Sequence, residues 1–126
     1  MIFKNYFCSD ISPVYLFTQP TNNITYLNMT IDFKELSESM KLFIPLFAHI
    51  ISRMGADGLS SDKLTLQCNA KSSGFNIVPL IQSHYDSCDD CHFYLHCCTH
   101  FLDSNFSSVL SLWEKIFNKL ITLFNL

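Results

Sequence analysis

The run Cys88-Asp89-Asp90-Cys91-His92-Phe93-Tyr94-Leu95-His96-Cys97-Cys98-Thr99-His100 gathers four thiols and three imidazoles, side chains that bind soft and borderline metals. It contains Cys-x-x-Cys-His, the pattern of covalent haem attachment, and its donor set suits zinc. Both patterns are incomplete. A haem site needs an axial partner and a pocket, and a structural zinc site pairs one Cys-x-x-Cys knuckle with a second one distant in sequence. Geometry weighs further against metal. If Phe93 to Phe101 is a strand, His92, His96 and His100 share one face but stand ~13 Å apart at ~3.3 Å per residue. Zinc ligands sit about 2.0–2.3 Å from the metal, so these histidines converge only if a bulge or another secondary structure intervenes. The plainer reading is an alternating strand with Phe93, Leu95, Cys97 and Phe101 inward and Tyr94, His96, Cys98 and His100 outward, following an acidic loop. Cysteine then acts as a small hydrophobe.

Catalytic constellations are missing. None of His49, His84, His92, His96 or His100 begins a His-x-x-Glu-His zinc motif. Glu35 and Glu38 fall on an expected solvated helix face, and Asp86, Asp89 and Asp90 fall in an expected loop, which gives no pair for acid–base work. The chain has no Gly-x-Ser-x-Gly elbow, no phosphate loop and no basic aromatic patch. No catalytic, cofactor-binding or metal-ligating residue is therefore assigned. Cys8 and Cys68 are isolated, and six cysteines without a secretory signal do not establish a disulfide framework. The sequons at Asn23, Asn28 and Asn105 matter only in a secreted chain.

Composition sets bounds. The chain of 126 residues is at most one ordinary domain, and its net charge of −3 argues against a nucleic-acid backbone as partner. The longest apolar run, Leu42 to Ile51, is interrupted by Pro45 and His49 and is half the ~20 residues of a membrane-spanning helix. A soluble globular piece is expected. Met1 to Cys8 lacks the apolar length of a signal peptide and the Arg-rich amphipathic pattern of an organellar presequence.

The elements that must position these residues are legible as patterns. Val14 to Phe17 and Ile24 to Ile31 are β-branched and aromatic, and Pro20-Thr21-Asn22-Asn23 between them supplies turn chemistry, which predicts a β-hairpin. Leu36, Met40, Phe43, Phe47, Ile50 and Met54 recur at three and four, the core-facing stripe of a helix. Pro45 must break it, with the proline in the first turn of the second piece and Gly55 as its C′ residue. Ser60 or Ser61 caps a short helix through about Cys68, and strands follow near Phe75 to Ile81 and Phe93 to Phe101. Ser104 or Asn105 caps a last helix carrying Val109, Leu112, Trp113, Ile116, Phe117, Leu120, Ile121 and Phe124 at helical spacing, with Trp113 as a core anchor. The order β-β-α-α-β-β-α predicts an α+β fold with helices packed on one face of an antiparallel or mixed sheet.

Several short pieces of the chain also fall in a familiar order. Phe17-Thr18-Gln19-Pro20-Thr21-Asn22-Asn23-Ile24-Thr25-Tyr26-Leu27 is followed by Pro45-Leu46-Phe47 and Met54-Gly55, then Lys71-Ser72-Ser73-Gly74-Phe75 with Pro79. Leu102-Asp103-Ser104-Asn105-Phe106 and Leu112-Trp113-Glu114-Lys115-Ile116-Phe117-Asn118 complete the series. Over roughly residues 10 to 118 this resembles the start of the third, non-catalytic domain of presequence proteases, large zinc metallopeptidases related to pitrilysin and insulin-degrading enzyme. Two departures stand out. Ser73 replaces the first glycine of the family's pair, and Lys119 to Leu126 continues an apolar helix where the family turns into a loop.

The resemblance implies an organisation of residues 1–10 as an unassigned segment, 11–118 as a partial metallopeptidase-like domain and 119–126 as a divergent helical tail. It implies that the chain is a fragment whose region walls a chamber for unfolded peptides such as cleaved targeting peptides. A separate catalytic half would hold zinc, polarise the scissile carbonyl and activate water. The remainder of the metallopeptidase and the peptide substrate are then the partners, and the mitochondrial matrix or another organelle is the compartment. By itself this chain would be inactive, because it lacks His-x-x-Glu-His and any counterpart of the Arg and Tyr that a later domain lends to the active site. With strands and a helix missing, the isolated chain is expected to fold poorly or aggregate. Two other readings stay open: a small Cys/His metal module centred on Cys88 to His100, and an interaction protein that docks through its last helix.

Overall fold

The computed structural model describes residues 2–8 and 12–124; of residues 2–8, 12, 13, 84, 87–90 and 120–124 it describes the backbone course only. Among the described residues, strands and helices follow in the order β1 (Ile2–Cys8), β2 (Ser12–Thr18), β3 (Ile24–Asp32), α1 (Glu38–Lys41), α2 (Ile44–Ile51), α3 (Ser61–Lys71), β4 (Asn76–His84), β5 (Ser87–Leu102) and α4 (Phe106–Phe124). The fold is α+β, with an antiparallel three-stranded sheet in the order β3-β5-β4 and helices packed on one of its faces.

The expected pairing of the first two strand segments is corrected. Val14 to Phe17 lies in β2, which pairs antiparallel with β1 from Ile2↔Thr18 to Cys8↔Ser12, whereas β3 pairs with β5 from Ile24↔Leu102 to Asp32↔Tyr94. The turn between them has the chemistry expected of it: Asn22 and Asn23 hold φ of 53° and 63°, and the Ile24 amide donates to the Thr21 carbonyl at 3.2 Å. Ile2 to Cys8 is itself apolar and aromatic enough to zip onto β2 in full register, and β3 gains a longer partner in β5.

Pro45 divides the helical stretch as anticipated. α1 ends at Lys41, and α2 begins at Ile44 with the proline in its first turn, where its missing N–H costs nothing. The phase of the stripe differs. Ile44, Ala48 and Ile51 are buried and Phe47 is half-buried, while Met40, Phe43 and Ile50 are exposed. Much of the expected stripe thus faces outward, and α2 buries Ile44, Ala48 and Ile51 instead. Gly55 is likewise not a C′ residue. α2 closes at Ile51 with a tightened turn in which the amides of Ser52, Arg53 and Met54 donate to the carbonyls of Ala48, Ile50 and Ile51. Positive φ falls instead on Asp57 and Gly58, at 52° and 74°. Gly55 serves close approach, since a Cβ there would stand 2.0 Å from the Leu59 carbonyl oxygen.

α3 starts where its cap was expected, with the Ser60 hydroxyl accepting from the Lys63 amide at 3.5 Å, and runs beyond Cys68 to Lys71. β5 begins at Ser87, so the segment expected to be an acidic loop, Cys88 to Asp90, is strand backbone; the reversal is made at Tyr85 and Asp86. The side chains of Cys88, Asp89 and Asp90 lie outside the described residues. Ser104 and Asn105 form a 3-10 turn with Asp103 immediately before α4, and Asn105 ties this turn to α3 by donating to the Lys71 carbonyl at 3.0 Å.

The core sits between β5 and the helices. Leu95, Cys97, Thr99 and Phe101 point inward from the strand and meet Ala48 and Ile51 of α2, Leu64 and Cys68 of α3, and Val109, Leu112, Trp113 and Ile116 of α4. Each large apolar side chain so buried contributes about 1.5–3 kcal/mol of transfer free energy. The alternation expected along β5 and the anchoring role of Trp113 are thus observed. Leu120, Ile121 and Phe124 continue α4 as backbone, and their side chains lie outside the described residues.

Candidate functional site

Among the described residues, the helices cover one side of the sheet and leave the other open. Strand alternation decides which residues line it: if Leu95, Cys97 and Phe101 face the core, then His92, Tyr94, His96, Cys98 and His100 face away. Register adds their neighbours. Tyr26 stands opposite His100, Asn28 opposite Cys98, and Thr30 opposite His96 on β3; Asn76, Val78 and Leu80 flank Cys98, His96 and Tyr94 on β4. The result is a broad surface of phenol, imidazole, amide and hydroxyl groups with two aliphatic residues, and Asp32 as the charged group at its end.

The imidazoles on this face are engaged by neighbouring side chains, two of them across strands and His92 within β5. His100 stacks on Tyr26 with centroids 5.6 Å apart, His92 stacks on Tyr94 at 6.3 Å, and His96 Nδ1 lies 3.3 Å from the Thr30 hydroxyl. Each histidine therefore belongs to its own neighbour. Among the described residues no group of three or more His, Cys, Asp or Glu side chains is gathered in a way that could hold a metal ion. The described residues of this face do not fit the zinc that the resemblance implies for the whole enzyme.

The thiols divide by face. Burial pushes the Cys97 thiol up to about 12, with the neighbouring Cys98 sulfur adding to the rise, and burial also raises Cys68 above its ordinary value. Neither is a nucleophile at neutral pH. Of the carboxylates, Glu38 pairs with Lys41 at 2.6 Å, where the buried lysine also lies 5.9 Å from the centroid of the Phe93 ring. Glu38 is thus committed to a structural contact. Asp103 accepts from the Thr25 hydroxyl at 2.6 Å, joining the end of β5 to the start of β3.

Ser73, which departs from the glycine pair of the resembled family, is accommodated without a left-handed backbone. Its amide donates to the His100 carbonyl at 2.9 Å, and its hydroxyl accepts from the His100 amide at 3.2 Å, so the serine extends the edge of the sheet. Gly74 carries the positive φ, 98°. Tyr26, Asn28 and Thr30 did not emerge from the sequence as partners of the β5 histidines, because β3 was expected to pair with β2. The alternation of Ile24 to Asp32 was the available signal.

Known proteins resemble the chain in sequence. A family model for the region associated with peptidases of the M16 family, subfamily C, matches residues 4–121. The chain is 29% identical over 106 residues to "Presequence protease, mitochondrial" of Xenopus laevis, and 26% identical over 106 and 109 residues to the proteins of the same name from Danio rerio and Mus musculus. Each alignment covers 84% of this chain but 10% of the relative, so the chain spans about a tenth of the length of these curated relatives. With the family model covering nearly the whole sequence, the chain belongs to the family of regions associated with subfamily C of the M16 peptidases.

Proposed function

We propose that residues 11–118 are a piece of a presequence-protease-like zinc metalloendopeptidase that degrades unfolded peptides, and that this piece forms part of the wall of its substrate chamber. The observation that carries the reading is the match to presequence proteases along 84% of the chain within a tenth of their length. The open sheet face supports the wall role. Its phenols, imidazoles and amides, with Val78 and Leu80, offer weak contacts to many side chains and place no buried charge against a passing peptide. A surface that must tolerate varied sequences benefits from such contacts more than from a shaped pocket.

In this reading the catalytic half of the enzyme supplies zinc, and residues 1–126 supply no catalytic group. The names of the relatives favour the mitochondrion as the compartment, and the matrix is the part of it this reading assigns. The test is the complete reading frame that encodes Gln19 to Asn118, read from full-length transcripts. A frame that continues into a domain with His-x-x-Glu-His, and a product whose cleavage of an unfolded peptide stops on zinc chelation, is the expected result. A mature message confined to Met1 through Leu126 overturns it.

A further inference from the structure

The helices of this chain differ in what they show to solvent. α3 turns Asp62, Lys63, Thr65, Gln67 and Asn69 outward, and α4 turns out Ser107, Ser108, Ser111, Glu114 and Asn118. α2 has no such side. From Leu42 to Ile51 the one polar side chain is that of His49. Ile44 is buried, Ala48 and Ile51 are buried in the core with the sheet and the other helices, and the opposite stripe is also apolar: Leu42, Phe43, Leu46 and Ile50 are 76%, 63%, 54% and 44% exposed. Phe43, Leu46 and Ile50 follow at three and four, so they share one face of the helix, and Leu42 lies one turn before Leu46. Met40, at 53%, extends the same apolar surface into α1.

A helix that is apolar all round belongs in the interior of a larger body, between two layers. Its inner layer is the core described above. We infer that the outer face of α2 is covered by a further layer of the same peptidase polypeptide, an uncharged apolar surface from a segment outside residues 1–126. This rests on reading the chain as part of a longer peptidase. The relatives carry roughly nine-tenths of their length outside the matched region, which provides that layer in cis. The division of surfaces agrees with it. The sheet face is polar and aromatic, suited to transient contact, whereas the α2 face presents exposed Leu42, Phe43, Leu46 and Ile50 with His49 as its one hydrogen-bonding side chain and suits a permanent, largely dry contact.

Phe43→p-benzoylphenylalanine places a photo-crosslinker on this face at an exposed aromatic position, with little demand on folding. It is introduced into the polypeptide as the cell makes it, and products are sized and mapped by mass spectrometry. The expected product is an internal crosslink, with unchanged polypeptide mass, to a peptide outside residues 1–126. A product of doubled mass, a crosslink to a separate protein, or none overturns the inference. The mass of the unirradiated polypeptide reports on the underlying reading. A long peptidase without the internal crosslink defeats the inference alone, and a product no longer than this chain defeats both.

Discussion

Phe75 stands edge-on against Trp113, with ring centroids 5.1 Å apart and planes at 83°. Phe117 completes the cluster, 5.9 Å from Phe75 and 5.7 Å from Trp113. The residue after Gly74 and the aromatic pair of α4 are distant in sequence, and both fall in the short pieces that carry the resemblance to presequence proteases. Their contact gives those motifs a physical reason: the glycine at positive φ turns the chain so that Phe75 enters the core beneath α4. Trp113→Ala removes the centre of the cluster and is expected to cost about 3–5 kcal/mol, while Trp113→Phe keeps part of it. Urea midpoints of the polypeptide that carries residues 1–126 check this; equal losses for the two variants would count against the aromatic contact.

Gly55 and Gly58 lie three residues apart and are constrained for opposite reasons. At Gly55 any Cβ collides with the Leu59 carbonyl, whereas at Gly58 the space is open and only the φ of 74° resists a side chain. Gly55→Ala and Gly55→Asn are both expected to destabilise by ~1–3 kcal/mol, since backbone must shift. Gly58→Asn is expected to be close to neutral and Gly58→Ala clearly worse, because Asn tolerates the left-handed region. Denaturant midpoints of the four variants give the comparison, and a tolerated Gly55→Asn would contradict the close approach.

The sequence made local chemistry legible and left long-range choices open. The proline that splits the helix, the asparagines of the turn, the Ser60 cap and the alternation of β5 are each written in a few neighbouring residues. The partner of β3 was not, because Ile24 to Asp32 offers two edges and only the competition between β2 and β5 decides which is used. Nor was the core side of α2 readable, since a helix apolar on both faces has no polar side to mark the outside. The open face of the sheet depended on that pairing. Its histidines were placed on one face from the alternation, but their neighbours Tyr26 and Thr30 come from β3.

Cys97 and Cys98 are adjacent in sequence and opposite in environment, one fully buried and the other half-buried on the sheet's open face. Brief treatment with N-ethylmaleimide at neutral pH should modify Cys98 and spare Cys97 until the chain unfolds, which peptide mass spectrometry resolves. Equal labelling of the two would refute the strand alternation. Alkaline pH adds a second sign. The folded state holds Cys97 protonated up to about 12, against an ordinary value of 9.0, so its contribution is intact below pH 9 and is lost as pH rises toward 12. Stability should fall in that window by about 1.4 kcal/mol per pH unit for this group, and Cys97→Ala should make the decline shallower.

Pro79 occupies the middle of an edge strand, and the register explains why it is tolerated there. The Phe33 amide donates to the Phe93 carbonyl at 3.1 Å, so odd-numbered residues of β5 bond toward β3 and even-numbered ones toward β4. The β4 partners of those even residues are Asn76, Val78, Leu80 and Gln82, which leaves Ile77, Pro79 and Ile81 directing their backbone groups to the outer edge. A proline at that point removes an outward donor and weakens the edge as a template for another strand. Pro79→Val restores the donor without disturbing the ladder to β5. The variant should keep its far-ultraviolet circular dichroism yet scatter more light with increasing concentration, as copies pair edge to edge. If scattering is unchanged while Pro79→Val alters the strand signal, the proline acts on the fold of β4 itself and not on what its edge can recruit.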